Sequence, residues 1–339
     1  MRIHRRHGRP RHGRRTLVAA LTAVALCASP GAVAAQQERT GSGAASTEDQ
    51  PGPALRTPPE RLAAALSCPE EFRSDREPVL LVHGTGVDAE LSWSWGYAPA
   101  LRARGYDVCV VDLPGGALGD IQDSVEYVVH AVTAMRAATG RAVDVVGHSQ
   151  GGLQIRWALT WWPGLRGAVD DAVALGTPER GVAAGDLVCA AARCAPALWQ
   201  MRSGSAFLRA LNSGDQTPGP VSYTSVYSRD DLVAAPYWTA VKEGARNIKL
   251  QDVCGIRLVT HMGLLYDALA FALVVDALGG PGPADPARLP RGACRDAYLP
   301  GVGLGEVAYA TAVVAPAAAA AIATAPRVGR EPALRSSVR

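Results

Sequence analysis

Outside its first 35 residues, this 339-residue chain has neither a zinc-binding cysteine pattern nor an excess of basic charge. No C-x-x-C pair occurs and the histidines do not cluster near cysteines, so the sequence predicts no metal site. The formal net charge of +3 comes from seven arginines within residues 1–35. Without them the 34 basic residues fall to 27 against 31 acidic ones, which gives no reason to expect a nucleic-acid partner.

Residues 1–35 have the pattern of a secretory signal peptide. A basic stretch ends at Arg15, residues 17–26 form a short apolar run, and residues 32–35 (Ala-Val-Ala-Ala) offer the small side chains that signal peptidase needs. The apolar run is too short to span a bilayer. The sequence therefore predicts a secreted, extracellular protein, and the Arg14-Arg15 pair leaves Sec and twin-arginine export as alternatives.

Cys27 belongs to this predicted signal, which leaves six cysteines in the exported protein. An even number of cysteines in an exported chain favours disulfides. Composition does not choose among the possible pairings. The six positions are Cys68, Cys109, Cys189, Cys194, Cys254 and Cys294.

The remaining chain divides by composition into three parts. Residues 36–67, which begin with a stretch rich in Gly, Ser, Thr, Pro and Gln, are predicted to be a flexible linker. Residues 68–325 form the predicted folded domain, and residues 326–339 a disordered tail. No internal repeat is visible, so a single domain is expected.

Apolar strands and amphipathic helices alternate within the folded domain. The clearest helix is 120–138, where apolar residues recur at a spacing of about 3.6 residues. This alternation predicts an α/β fold with a mostly parallel central sheet flanked by helices. The predicted strands are 79–82, 108–111, 143–146, 223–227 and 247–253.

One further apolar stretch, residues 307–325, lies near the C-terminus and is rich in alanine. Its length would allow it to cross a membrane, but Pro316 interrupts it and alanine is only weakly apolar. We therefore predict a helix packed on the surface of the domain.

The pentapeptide Gly147-His148-Ser149-Gln150-Gly151 directly follows the predicted strand 143–146. A G-x-S-x-G sequence between a strand and a helix is typical of a nucleophile elbow, in which a strained turn presents the serine hydroxyl. The helix N-terminus behind the serine favours developing negative charge. Ser149 is therefore the predicted nucleophile.

A serine nucleophile of this kind is followed along the chain by an acid and then by a histidine. Four histidines lie outside the signal, and three of them, His83, His130 and His148, precede Ser149. Only His261 follows Ser149, so it is the predicted base. The acid is expected on a loop after a strand. Asp230 and Asp231 both follow the strand 223–227, and the pattern does not separate them firmly.

The loop His83-Gly84-Thr85-Gly86 follows the first apolar strand. In an α/β-hydrolase this loop supplies one backbone amide of the oxyanion hole, and the residue after the nucleophile supplies the other. Thr85 and Gln150 are therefore the predicted oxyanion donors.

Longer segments resemble the α/β-hydrolase lipases, most closely those of the lipase B type. The resemblance runs from about residue 68 to residue 325, so it is more specific than a five-residue motif. It implies the α/β-hydrolase fold with a short lid-like region near residues 182–200. The matching segments are residues 79–86, 105–109, 149–153, 195–200 and 253–255 and the alanine-rich stretch around Pro316.

The resemblance also implies roles for individual residues. It places Asp231 rather than Asp230 at the acid position and adds the hydroxyl of Thr85 to the oxyanion donors. It pairs Cys68 with Cys109 and Cys254 with Cys294, which leaves Cys189 for Cys194.

The resemblance implies a substrate pocket as well. It places His148 and Trp199 at this pocket, and His148 stands where those lipases have a tryptophan. Residues around 313–324 would line the acyl entrance. The loop 175–178 departs from the matching loop, which carries a buried acid, so the polarity on the acyl side stays open.

Together these features predict a secreted serine lipase that hydrolyses carboxylic esters, acylglycerols in particular, through a Ser-Asp-His triad and an acyl-enzyme. No metal or organic cofactor and no stable protein partner are expected, and the substrate is a lipid or other ester at a lipid–water interface. The alternatives are an esterase or acyltransferase for short-chain esters or polyesters and, in another class, a non-catalytic lipid-binding protein with a hydrolase fold.

Overall fold

The computed structural model describes residues 52–183, 185–186, 189 and 193–338. The predicted signal peptide and residues 36–51 of the predicted linker lie outside this range. Within it the chain forms a seven-stranded sheet in the order β1-β3-β2-β4-β5-β6-β7. The strands are β1 (Leu66–Ser67), β2 (Val79–Val82), β3 (Val108–Val111), β4 (Val143–His148), β5 (Val169–Leu175), β6 (Ser222–Tyr227) and β7 (Arg246–Lys249).

Only the short edge strand β1 runs antiparallel to its neighbour, and the other five pairings are parallel. The predicted α/β fold with a mostly parallel sheet is therefore confirmed. The helices are α1 (Pro59–Ala64), α2 (Ala89–Trp93), α3 (Tyr97–Arg102), α4 (Ile121–Thr139), α5 (Gln150–Trp161), α6 (Pro196–Gln200), α7 (Ala206–Leu211), α8 (Leu250–Val253), α9 (Ala268–Gly279) and α10 (Leu304–Thr324).

Short 3-10 turns connect several of these elements, and α10 contains one π-helical stretch, Ala310–Val314. The 3-10 turns are Pro114–Ala117, Pro163–Ala168, Tyr237–Ala240, Met262–Leu265, Pro286–Arg288 and Ser336–Val338.

Helix α4 shows how the sequence sets an element. The side chain of Asp120 accepts a hydrogen bond from the amide of Gln122 and caps the N-terminus, while Gly140 adopts φ 70° and ends the helix. The predicted apolar stripe, which includes Val125 and Met135, is buried against the sheet.

The two faces of the sheet bury two separate apolar clusters. Alternate residues of β2 point to opposite sides, so Leu80 and Val82 pack on the side of α4 and α5, whereas Val79 and Leu81 pack on the side of α9. Because both sides are covered, the central strands are apolar throughout rather than alternating.

The predicted linker is in part a packed segment. Residues 59–67 form α1 and β1, and Leu62 is buried. The backbone amides of Arg56 and Thr57 each donate to the carboxylate of Glu126 on α4, at 2.8 Å. The composition of this segment indicated flexibility because composition alone does not show hydrogen bonds to distant parts of the chain.

The predicted disordered tail is also held to the domain. Val328 forms a β-bridge with Cys194, and the Glu331 carboxylate accepts the amides of Ala206 and Phe207 at the start of α7, at 2.9 and 2.8 Å. Arg335 forms ion pairs with carboxylates of α4. The prediction of disorder was wrong because these anchors act between distant parts of the chain.

Strand β7 ends at Lys249 and the chain turns into α8, so the predicted strand 247–253 is shorter than expected. The structure forms three disulfides in the pairing that the resemblance implied: Cys68–Cys109, Cys189–Cys194 and Cys254–Cys294. The predicted lid-like region 182–200 lies partly outside the described residues.

Candidate active site

Ser149 lies in the turn between β4 and α5 with φ 55° and ψ −123°, a strained conformation for a residue with a side chain. The turn requires glycine on both sides. A Cβ on Gly147 would come within 2.5 Å of the backbone of Gly151, and a Cβ on Gly151 within 2.2 Å of the carbonyl of Val82. The G-x-S-x-G pattern thus arises from close backbone approach.

The imidazole of His261 donates its Nδ1–H to Oδ2 of Asp231 at 2.7 Å, and both side chains are buried. The other oxygen of Asp231 accepts the amides of Val233 and Ala234, each at 2.8 Å. Burial alone would raise the pKa of Asp231, but the hydrogen bonds from His261 and the two amides outweigh it and hold the pKa below its usual value.

Asp230 faces elsewhere. Its carboxylate accepts a hydrogen bond from the side-chain amide of Gln251 at 3.2 Å and lies near Arg229. Of the two acids that the sequence pattern left open, the structure therefore brings Asp231 to His261, in line with the family resemblance.

His148 lies beside His261, with ring centroids 4.7 Å apart. Its Nε2–H donates to the backbone carbonyl of His261 at 3.0 Å. Burial, followed by the nearby His261, lowers the pKa of His148 to about 3, so its ring is neutral at physiological pH.

The predicted oxyanion loop is held by hydrogen bonds of two of its side chains, those of Thr85 and His83. The Thr85 hydroxyl donates to Oε1 of Gln150 at 2.8 Å. His83 donates through Nδ1 to the carbonyl of Gly84 at 2.8 Å and accepts the amide of Leu113 at 2.9 Å, which defines its tautomer.

The two predicted donor amides are available to a ligand. Gln150 is the first residue of α5, so its amide has no partner within that helix. Among the described residues, the amide of Thr85 has no backbone or side-chain acceptor either. Both residues therefore offer unused donors beside Ser149.

Ser149, His261, His148 and Thr85 open onto one cavity of about 390 Å³ whose walls are otherwise apolar. One wall is a face of α10, on which residues recur at helical spacing: Ala315, Ala318, Ala319 and Ile322. The other apolar residues are Val87, Pro178, Val182, Leu198, Met201, Val233, Ala234, Met262 and Leu265.

Trp199 does not line this cavity, so its predicted place in the substrate pocket was wrong. Its indole donates to the carbonyl of Val328 at 3.1 Å and packs under the guanidinium of Arg202. Leu198 and Met201 line the cavity instead, because residues three apart share a helix face and Trp199 is rotated away from it.

The loop after β5 also contributes residues that sequence reasoning missed. Pro178 lines the cavity, whereas Glu179 points away into an ion pair with Arg156 at 3.1 Å and Lys242 at 3.0 Å. Gly176 adopts φ 57°, and a Cβ there would lie 3.1 Å from Asp231 Oδ2. A glycine at position 176 of the sequence could have indicated that the backbone here comes close to another residue.

Comparisons with known proteins show which family this chain belongs to. The palmitoyl protein thioesterase family model matches residues 78–250, just over half of the chain. Lipase B of Pseudozyma antarctica is 31% identical over 292 residues, which cover 83% of this chain and 85% of that protein. A triacylglycerol lipase of Burkholderia plantarii is 33% identical over 130 residues, 37% of this chain and 36% of that protein.

Among solved structures, Aspergillus fumigatus lipase B superposes with a TM-score of 0.80 at 33% identity and covers 86% of this chain and 74% of that one. The chain therefore belongs to the family that the palmitoyl protein thioesterase model describes, as a homologue of lipase B and a carboxylic ester hydrolase.

Proposed function

We propose that this protein is a secreted serine lipase that hydrolyses acylglycerols through the triad Ser149, His261 and Asp231. One observation carries the proposal: Ser149 and His261 open onto the same apolar cavity, and Asp231 is bonded to Nδ1 of His261. An acid on Nδ1 holds the tautomer whose Nε2 can accept a proton from the nucleophile.

In the first half of the reaction Oγ of Ser149 attacks the ester carbonyl carbon while Nε2 of His261 takes the hydroxyl proton. The tetrahedral intermediate collapses, and His261 gives that proton to the leaving alcohol. In the second half water attacks the acyl-enzyme, again with His261 as base, and the fatty acid is released.

The negative charge on the carbonyl oxygen is received by the amides of Thr85 and Gln150 and by the Thr85 hydroxyl. A preorganised donor of this type contributes about 3 kcal/mol to transition-state stabilisation. In the free protein the Thr85 hydroxyl bonds to Gln150 Oε1, so it turns toward the oxyanion as charge develops.

The apolar walls of the cavity favour a lipid acyl chain over a polar ester. Large apolar side chains stand exposed beside the cavity, among them Leu232 at 84% and Val233 at 50% exposure. Helix α10 is long and apolar enough to cross a membrane, but one of its faces lines the cavity. We therefore interpret this surface as the side that meets a lipid–water interface.

Secretion is supported by the predicted signal peptide together with the three disulfides, since such bonds persist in oxidising compartments. Oxidised, signal-free protein is accordingly the form to assay.

The family match favours a second acyl substrate, a long-chain thioester, because the matching model is named for palmitoyl protein thioesterase. The same triad would release a thiol instead of an alcohol. A higher kcat/KM on palmitoyl-coenzyme A than on p-nitrophenyl palmitate would favour this function over the lipase.

The proposal is tested with p-nitrophenyl butyrate and p-nitrophenyl palmitate, using the wild-type protein and Ser149→Ala. A lipase hydrolyses both esters, and Ser149→Ala loses both activities. Turnover of p-nitrophenyl butyrate alone would show that the protein is a short-chain esterase rather than a lipase. Absence of Ser149-dependent turnover on either ester would contradict the proposal and favour a lipid-binding protein.

A further inference from the structure

Three aspartates cluster at the N-terminal ends of the central strands β4 and β5, at the end of the sheet opposite the active site. Asp144 is the second residue of β4, and Asp170 and Asp171 are the second and third residues of β5. Ser149 follows the other end of β4. The cluster is therefore separate from the catalytic machinery, and the proposed function does not use it.

A β-bulge brings these side chains together. Val143 pairs with Val169 and Val145 with Ala172, so one residue of β4 faces two residues of β5. In a regular strand Asp170 and Asp171 would point to opposite faces of the sheet, whereas the bulge re-aims them. One carboxylate oxygen from each of the three aspartates lies within 4.8 Å of the others.

Two of the three carboxylates are buried without a full set of partners. Asp144 is 1% exposed and Asp171 is 3% exposed. Oδ2 of Asp144 and Oδ1 of Asp171 accept no hydrogen bond from any residue in the described ranges. The one bond within the cluster is a long one, from the Asp171 amide to Asp144 Oδ1 at 3.3 Å. A buried carboxylate in this situation needs a neutralising partner.

The surrounding charges do not supply that partner. Glu77 adds a further negative charge that acts on both buried aspartates. Arg288 is the cation that acts on Asp171, but its guanidinium is engaged by Asp276 at 2.8 and 3.0 Å.

We propose that Asp144, Asp170 and Asp171 bind a divalent cation, Ca²⁺ in preference to Mg²⁺. Carboxylate oxygens are hard ligands that suit these ions. Two oxygens bound to one Ca²⁺ at ~2.4 Å lie at most about 4.8 Å apart, and the three carboxylate oxygens stay within that limit. Mg²⁺ demands near-ideal octahedral geometry and gives up its waters reluctantly, so it suits this partly buried group less well than Ca²⁺.

Exposed Asp170 leaves one side of the cluster open to solvent, so water completes the coordination there. The ion neutralises the buried carboxylates. Its role is to stabilise the junction of β4 and β5, because binding to the folded state alone raises the stability of that state.

The test uses protein stripped with EDTA, titrated with CaCl₂ at about pH 8, because carboxylates bind a cation in their ionised form. Calorimetry is expected to show one Ca²⁺ per chain, and the thermal midpoint is expected to rise with Ca²⁺ and less with Mg²⁺. Asp170→Asn and Asp144→Asn should each weaken binding by at least about tenfold. Asp75→Asn, an exposed aspartate outside the cluster, is the matched control and should bind as the wild type does.

Absence of binding heat and of any shift in the thermal midpoint up to about 10 mM Ca²⁺, above the range of weak extracellular sites, would overturn the proposal. Binding that persists unchanged in Asp170→Asn would overturn it too. Because Asp170 is exposed, Asp170→Asn is expected to fold, and it therefore tests the proposed site even if Asp144→Asn does not fold.

Discussion

The residue before the predicted nucleophile holds the backbone of the predicted base: Nε2–H of His148 donates to the carbonyl of His261 at 3.0 Å. His148 is buried and neutral, so the bond does not depend on pH in the physiological range. The elbow and the histidine loop are thereby joined directly, while Asp231 ties the loop after β6 to the side chain of His261.

The two adjacent aspartates give a matched pair of variants. Asp231→Asn is expected to lower kcat by about 10⁴-fold, because an amide favours the wrong tautomer of His261. Asp230→Asn should stay close to the wild-type rate, since Asp230 bonds to Gln251 instead. Steady-state rates on p-nitrophenyl butyrate decide this, and equal losses in the two variants would refute the assignment of Asp231.

The hydroxyl of Thr85 can be tested without changing its shape. Thr85→Val removes the hydroxyl and is expected to lower kcat by about 10²-fold or more with little change in KM, because the lost donor acts mainly in the transition state. Thr85→Ser keeps the hydroxyl and serves as the control. If Thr85→Val and Thr85→Ser have the same kcat, only the backbone amide of this residue contributes.

Stability at acid pH should depend on His148. The unfolded chain binds a proton at this site below about pH 6.5, whereas the folded protein does so only near pH 3, so the free energy of unfolding falls as pH decreases through this window. His148→Gln removes this contribution. Denaturant titrations at pH 7 and pH 4 are expected to show a smaller loss in His148→Gln than in the wild type. An equal loss in both would contradict the lowered pKa.

The wall formed by α10 should set the length of the acyl chain. Ala319 lines the cavity, whereas the neighbouring exposed Ala320 does not. Ala319→Trp is expected to lower the rate on p-nitrophenyl palmitate by about tenfold relative to butyrate, since the added ring overfills the cavity. Ala320→Trp is the control and should keep the wild-type ratio. An unchanged ratio in Ala319→Trp would place the acyl chain elsewhere.

Local patterns in the sequence predicted the parts of the site that depend on local geometry. The elbow around Ser149 needs small residues at fixed positions, and helix α4 begins and ends at recognisable caps. The chain order of α/β-hydrolases then left His261 as the base. Each of these inferences uses a constraint that acts within a few residues or along the chain.

Other features depend on contacts between distant segments, and the sequence did not predict them. Strand β5 was missed because Asp170 and Asp171 interrupt its apolar pattern, and both lie at the bulge opposite β4. The tail looked disordered because its anchors, such as Arg335 on α4, are visible only in three dimensions. Trp199 was misplaced because a resemblance in sequence does not fix which helix face meets the cavity.

The central claim is that Ser149 is the nucleophile of an acyl-transfer site. The most direct measurement is labelling of oxidised protein with a fluorophosphonate, followed by peptide mass spectrometry. We expect one adduct per chain on the peptide that contains Ser149, loss of esterase activity in proportion to labelling, and no adduct in Ser149→Ala. Labelling at another residue, or full activity in the labelled protein, would contradict the account.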